Sequence, residues 1–286
     1  MLTSALAGLA AGGTYALLGV CAVFTYRMVA VVNFTGAAIG AAGTFAMVLL
    51  NEQGVPLAAA VAMGIAFGAL ISALIGAVMA RWFAGASAQT KAAVTVAILV
   101  GMIALGLRIT GGQHPHRLPE LFPGAAFSLA GVVITIAATV SILLAVAFTT
   151  GATLFLRHTR AGLQLRALSE HPMAAELTGI RTRLLTVLVW LVSGAASSLA
   201  LMIVAPQRAP NFLSLSELIV PAFAAALLGF FRNFWLTVAG GIALGILEGV
   251  ASNLVSLNQY RAGVPFLIIL AILLWAQRGA RWDEIR

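Results

Sequence analysis

Lys91 is the only lysine of the chain and Asp283 the only aspartate. A phosphate-binding loop needs glycine before its lysine, and Thr90 stands there instead, so no Walker A motif exists. Any ATP hydrolysis must come from another chain. Cys21 is the single cysteine and sits in an apolar run, where it serves packing; one thiol builds neither a disulfide framework nor a Cys/His metal site. His114 and His116 flank Pro115 in a polar stretch and could share a metal, although a solvated loop accommodates the same spacing. No Ser/His/Asp set, paired carboxylates or metal ligands cluster within the apolar runs, which ranks an enzyme last.

What remains are polar residues inside apolar runs. Glu248 lies among Gly241, Gly245 and Gly249, and a carboxylate in a spanning segment is a functional candidate by default. It could bind an ammonium, carry a proton, or pair with a polar group across a tight helix interface, and the glycines favour the last. Asn33, with Thr35 and Gly36, interrupts the apolar run from Ala30 to Leu50. Backbone exposed at such a break can line a cavity and meet a zwitterion, with Tyr15 beside it. An ordinary loop followed by a short helix fits the same residues.

The elements that must position these groups are membrane helices. Hydrophobic residues make up 62% of the chain and charged residues 8%, with a mean hydropathy of +1.06. A soluble domain carries about a quarter charged residues. The net charge of +8 therefore records the retention of Arg and Lys on the cytoplasmic side during insertion, not affinity for nucleic acid. The N-terminus has no basic leader region and reads as a first spanning helix.

One long polar island interrupts the pattern, Arg157 to Arg183, with five arginines and two glutamates. Such charge density belongs in water. Placing the island in the cytoplasm puts twelve of the sixteen basic residues inside and leaves Arg108, Arg117, Arg208 and Arg261 outside. Within it, Leu165 and Leu168 share one side of an amphipathic turn. Pro172 suits a first helical position and Gly179 the position past a helix end, so a short helix lies between them. A helix of that length is unstable alone. Docking into a partner accounts for it, and so does a basic anchor at the headgroups.

Apolar runs give an all-α, polytopic transmembrane helical bundle of about eight or nine spans, some broken or re-entrant, in a single domain over residues 1–286 with the cytoplasmic loop at 157–183. Nine crossings are expected, or seven if the segments around Asn33 and Glu217 are both re-entrant. Gly8 and Gly12, like Gly241, Gly245 and Gly249, have the four-residue spacing of close helix interfaces. One return span is expected from Leu129 to Leu156, and Arg81 to Lys91 reads as an interior loop.

Several motifs together resemble one family, the membrane-spanning permease subunits of ABC importers for branched-chain amino acids, a family that also serves urea and short amides. Gly13-Thr14-Tyr15-Ala16-Leu17 followed by Val32-Asn33-Phe34 is similar to its N-terminal signature. Thr159-Arg160-Ala161-Gly162, Arg166-Ala167, Glu170, Ala175 and Leu177-Thr178-Gly179-Ile180 are similar to its cytoplasmic coupling loop. Ala226-Leu227-Leu228-Gly229 and Gly240-Gly241, Gly245 and Glu248 resemble its C-terminal glycine-rich run. Thr35-Gly36-Ala37 stands where the family has Ala-His-Gly, and Gly229-Phe230-Phe231-Arg232-Asn233 replaces a more glycine-rich turn.

The resemblance implies two cytoplasmic ATP-binding subunits, a second permease chain, identical or related, and an extracytoplasmic solute-binding protein, in a bacterial-type inner membrane. The chain itself holds no cofactor; ATP is bound by the partners. Arg160, Gly162, Arg166 and Glu170 would position the coupling loop, and Met173, Ala175 and Leu177, with Gly179 ending the helix, would seat in an ATPase cleft. Tyr15, Asn33, Phe34, Thr35 and Glu248 would line the path. A self-sufficient secondary transporter or channel is the alternative class, with Glu217 and Glu248 as its candidate ionisable groups.

Overall fold

The computed structural model describes residues 2–112, 116–129, 132–170, 172–207, 211–252 and 263–277. His114, Arg208, Pro210, Arg261 and the basic tail with Asp283 lie outside the described residues. The chain begins with α1 (Leu2–Ala7) and α2 (Leu9–Val29), followed by α3 (Gly36–Glu52), α4 (Leu57–Trp82) and α5 (Ala88–Ile109). A two-stranded hairpin follows, β1 (Ala125–Leu129) and β2 (Val132–Thr135), and then α6 (Ile136–His158). The island holds α7 (Arg160–Glu170) and α8 (Pro172–Leu177). Next come α9 (Thr182–Val204), α10 (Phe212–Ser216), α11 (Ile219–Leu228), α12 (Phe234–Ala251) and α13 (Val264–Gln277).

Among the described residues six helical stretches are long and apolar enough to cross a membrane: Thr3–Val29, Leu57–Trp82, Ala88–Ile109, Ile136–His158, Thr182–Gln207 and Phe234–Ala251. Gly36–Glu52 and Phe212–Leu228 are shorter apolar helical stretches. A polytopic helical bundle is thus what the chain forms. Both expected interruptions are present: α3 begins only at Gly36, and the stretch around Glu217 splits into α10 and α11.

Two local expectations change. The span expected from Leu129 starts at Ile136, because Ala125–Leu129 pairs antiparallel with Val132–Thr135. Val132, Val133 and Ile134 are β-branched and favour the extended backbone. Thr135 then turns the chain into α6, its hydroxyl accepting from Ala138 N–H at 3.2 Å. Lys91 lies within the first turns of α5 rather than in a loop, since Ser87 caps that helix by accepting from Thr90 N–H at 3.1 Å.

The central helix is α2, packed by α12, α6, α9 and α11. Its inner stretch, including Leu17, Val20, Cys21 and Val23, is fully buried. Small residues set the helix separations. A side chain on Gly245 would overlap the Gly12 backbone, and one on Gly12 would lie 3.0 Å from Ile242 Cα. A second seam joins α4 to α9. Gly64, Gly68, Ser72 and Gly76 recur every four residues on α4, facing Met202, Ser198, Gly194 and Trp190 in turn at the same spacing on α9. Ser72 Oγ donates across it to the Trp190 carbonyl at 2.5 Å. In lipid, where apolar burial gives no advantage, such close backbone contact is what holds helices together.

Candidate functional site

The bundle has two unlike ends. At the end away from the island, α1, α2, α10, α11, α12 and α13, with the end of α9, line an open cavity of about 740 Å³. Tyr15, Glu217 and Glu248 line it together with Ser4, Gln207, Ser214 and Ser252. Val204, Leu218, Val220, Pro221 and Phe266 supply an apolar wall. The Tyr15 hydroxyl donates to Glu248 Oε2. Glycine is the reason the two meet: Gly8 and Gly12 on the N-terminal side, with Gly241, Gly245 and Gly249 on α12, bring the backbones into contact. Glu248 thus pairs with Tyr15 across the seam and also lines the cavity. Glu217, at the break between α10 and α11, is exposed into the same space.

Asn33 and Thr35 are placed differently. Asn33 is 2% exposed, and its Oδ1 accepts from Thr35 N–H at 2.9 Å and Thr35 Oγ1 at 2.6 Å. That is an Asx turn leading into α3, satisfying backbone donors where the helix is broken. Asn33, Phe34 and Thr35 are not among the residues lining the cavity. Tyr15 does not sit beside Asn33, because the rest of α2, about 21 Å of helix to Val29, separates them. A residue the sequence did not single out completes this turn. Thr95 on α5 donates to the Val32 carbonyl at 3.0 Å and accepts from Phe34 N–H at 3.4 Å. The available signal was a threonine in an otherwise aliphatic helix opposite a broken segment.

At the island end, Thr159 caps α7, its hydroxyl accepting from Gly162 N–H at 2.9 Å. Gly162 lies against the Phe155 carbonyl, so no side chain fits there and α7 can fold back sharply on α6. Leu165 and Leu168 are buried, while Arg160, Arg166 and Glu170 are exposed. Met173 belongs to α8. Gly179 has φ +82°, its N–H bonds the Glu176 carbonyl at 3.0 Å, and Ile180 N–H bonds the Ala175 carbonyl at 3.2 Å. This is a Schellman ending. The helix presents two opposed faces: Ala175 is 3% exposed and turned to its own chain, whereas Leu177 is 86% exposed. Ala175 is thus not available to a cleft in a partner, since residues two apart point some 200° away from each other on a helix.

His116 joins the far-end loop to two helices. Its Nε2 bonds the Thr110 carbonyl at 2.9 Å and its Nδ1 lies 3.2 Å from Glu52 Oε1. The Thr110 carbonyl first, and then Glu52, hold the imidazole pKa above its ordinary value against a smaller opposing effect of burial.

Residues 4–273 match the family described as branched-chain amino acid transport system, permease component. The chain belongs to this family. The permease is 25% identical over 288 residues to the high-affinity branched-chain amino acid transport system permease protein LivH of Escherichia coli (strain K12), covering 95% of this chain and 92% of that one. LivH of Salmonella typhimurium is 24% identical over the same coverage. A solved structure, PsaBC from Streptococcus pneumoniae in complex with Fab, is similar at 14% identity over 96% of this permease and 90% of that chain, with a TM-score of 0.48.

Proposed function

We propose that this permease forms the path for a branched-chain amino acid in an ATP-driven importer, with the cavity facing outward and the island in the cytoplasm. The observation that carries the reading is the division of labour along the bundle. One end holds a polar-and-apolar cavity, and the other an outward-facing Leu177 on a short capped helix.

In the cavity, Glu248, oriented by the Tyr15 hydroxyl, receives the solute's ammonium group, and Glu217 adds negative potential at the entrance. The apolar wall of Val204, Leu218, Val220, Pro221 and Phe266 takes up an aliphatic side chain, which favours leucine, isoleucine or valine over urea or a short amide. A solute-binding protein delivers to this end. At the other end, Leu177 enters a cleft on an ATP-binding subunit while Arg160, Arg166 and Glu170 orient the loop at its rim. Two such subunits closing on ATP move α8 as a lever against α9, and a second permease chain, identical or related, completes the assembly. The basic excess of the island sets its cytoplasmic orientation in the inner membrane.

The test is uptake of radiolabelled leucine by the complex reconstituted with its ATPases and binding protein, comparing wild type with Glu248→Gln. Loss of a charge-assisted contact, about 1.5–3 kcal/mol, should weaken apparent affinity by about 10- to 100-fold. Unchanged affinity refutes the role of Glu248. Uptake by the permease alone, without ATPases, refutes the importer reading in favour of a secondary transporter.

A further inference from the structure

We propose that Phe34, Phe223 and Phe231 form the inner seal of the permeation path, and that the Phe230–Phe231 turn is the strained hinge through which it opens. The proposal rests on the importer reading above and adds a gate to it. The three rings make a continuous contact. Phe34 meets Phe223 edge-on with centroids 4.6 Å apart and planes at 86°. Phe223 lies 5.9 Å from Phe231, and Tyr26 on α2 closes the row at 5.2 Å from Phe231. Edge-to-face packing of this kind is favourable and specific, and an apolar constriction excludes water and polar solutes without any covering lid.

The rings belong to the main apolar core, and their position on the island side of the cavity is what suits them to act as a seal. Tyr15 borders the cavity and Tyr26 touches the cluster, eleven residues or about 17 Å further along the same helix. Helix α11 leads from the cavity into the cluster: Pro221 lines the cavity, Phe223 follows about 3 Å further along the axis, and Phe231 lies in the turn beyond the helix end. Movement of α11 therefore shifts the cavity wall and the cluster together. Beside Phe223, α2 and α11 are in direct contact, with Gly19 against the Ala222 carbonyl.

The turn that carries Phe231 is unusual in its backbone. Phe230 and Phe231 both have φ +51°, in the left-handed region that bulky residues avoid. Glycine is the ordinary occupant of such positions. Ala30, which ends α2 just before the segment carrying Phe34, has the same φ. The connections α2–α3 and α11–α12, which bring Phe34 and Phe231 to the cluster, thus both pass through left-handed non-glycine residues. Such conformations persist only where neighbours over-determine them. Here Phe231 N–H bonds the Ala226 carbonyl at 2.9 Å. Asn233 caps α12 immediately afterwards, and Arg27 lies over the Phe234 ring at 4.9 Å. A turn held under strain by a few replaceable contacts is suited to two arrangements.

The experiment uses the reconstituted complex in vesicles loaded with buffer, without ATP, and follows entry of radiolabelled leucine and, separately, of urea. Phe34→Ala combined with Phe223→Ala should raise ATP-independent entry at least tenfold while the ATPases still co-purify; Phe223→Leu, which keeps an apolar filler, should give an intermediate leak if the double variant fails to assemble. Phe230→Gly, which removes strain while leaving the three rings intact, should raise the melting temperature and slow ATP-driven uptake severalfold. Assembled variants that are as tight as wild type, or a Phe230→Gly complex with unchanged uptake, overturn the proposal. ATP-driven leucine uptake by wild type is read in the same vesicles. Its absence refutes the assigned solute, whereas a tight variant beside an active wild type refutes the seal alone.

Discussion

Glu248 and Tyr15 face each other across the glycine seam, so their contributions to stability and to transport separate by substitution. Tyr15→Phe removes the donor to the carboxylate and keeps the ring. It should cost about 2 kcal/mol, read as a melting temperature several degrees lower, together with weaker leucine uptake. His116 makes a prediction about pH. Its folded-state pKa lies above the ordinary value, so its bonds to Thr110 and Glu52 stabilise the fold fully below the unfolded value of about 6.5 and less as pH rises through the raised one. Melting curves of the detergent-solubilised permease should show this decline toward alkaline pH, and His116→Gln should flatten it.

Among the elements, the α2–α12 seam and the end of α8 are held by glycines for different reasons. A side chain at Gly245 meets the Gly12 backbone, so Gly245→Leu should separate the helices, cost at least about 1–3 kcal/mol and abolish uptake by parting Tyr15 from Glu248. Gly179 has open space around it and a φ of +82°. Gly179→Ala therefore acts through the backbone alone, about 1 kcal/mol, and should weaken ATPase retention about fivefold with a nearly unchanged melting temperature. The glycine spacing on α2 and α12 was readable because it is pure glycine. The α4–α9 seam obeys the same four-residue rule, but Ser72 and Ser198 stand in for glycine and Trp190 occupies one position, which hides the period. The island was readable because charge density has one physical home, and its Pro and Gly bracket a helix almost to the residue. Asn33 was not, since an asparagine that caps a broken helix and one that meets a solute look alike in sequence. The β1–β2 hairpin was masked for a related reason: β-branched residues next to an apolar helix read as one long run.

At the scale of the molecule, the basic residues, the cavity and α8 define a direction through the membrane. The only cysteine, Cys21, is buried, so a cysteine introduced at Leu177 gives a labelling signal on a silent background. An impermeant maleimide should reach it in inside-out vesicles and not in intact cells, which checks the proposed orientation. Docking of α8 is the point on which importer and solitary carrier part. The most direct measurement is the amount of ATPase retained by the affinity-purified permease, wild type against Leu177→Arg, with melting temperature as the control for folding. Leu177 is 86% exposed, so the expected result is an unchanged melting temperature with ATPase retention reduced at least tenfold. Equal retention of ATPase by a normally folded Leu177→Arg permease, or no ATPase with the wild type, would contradict the role of the island.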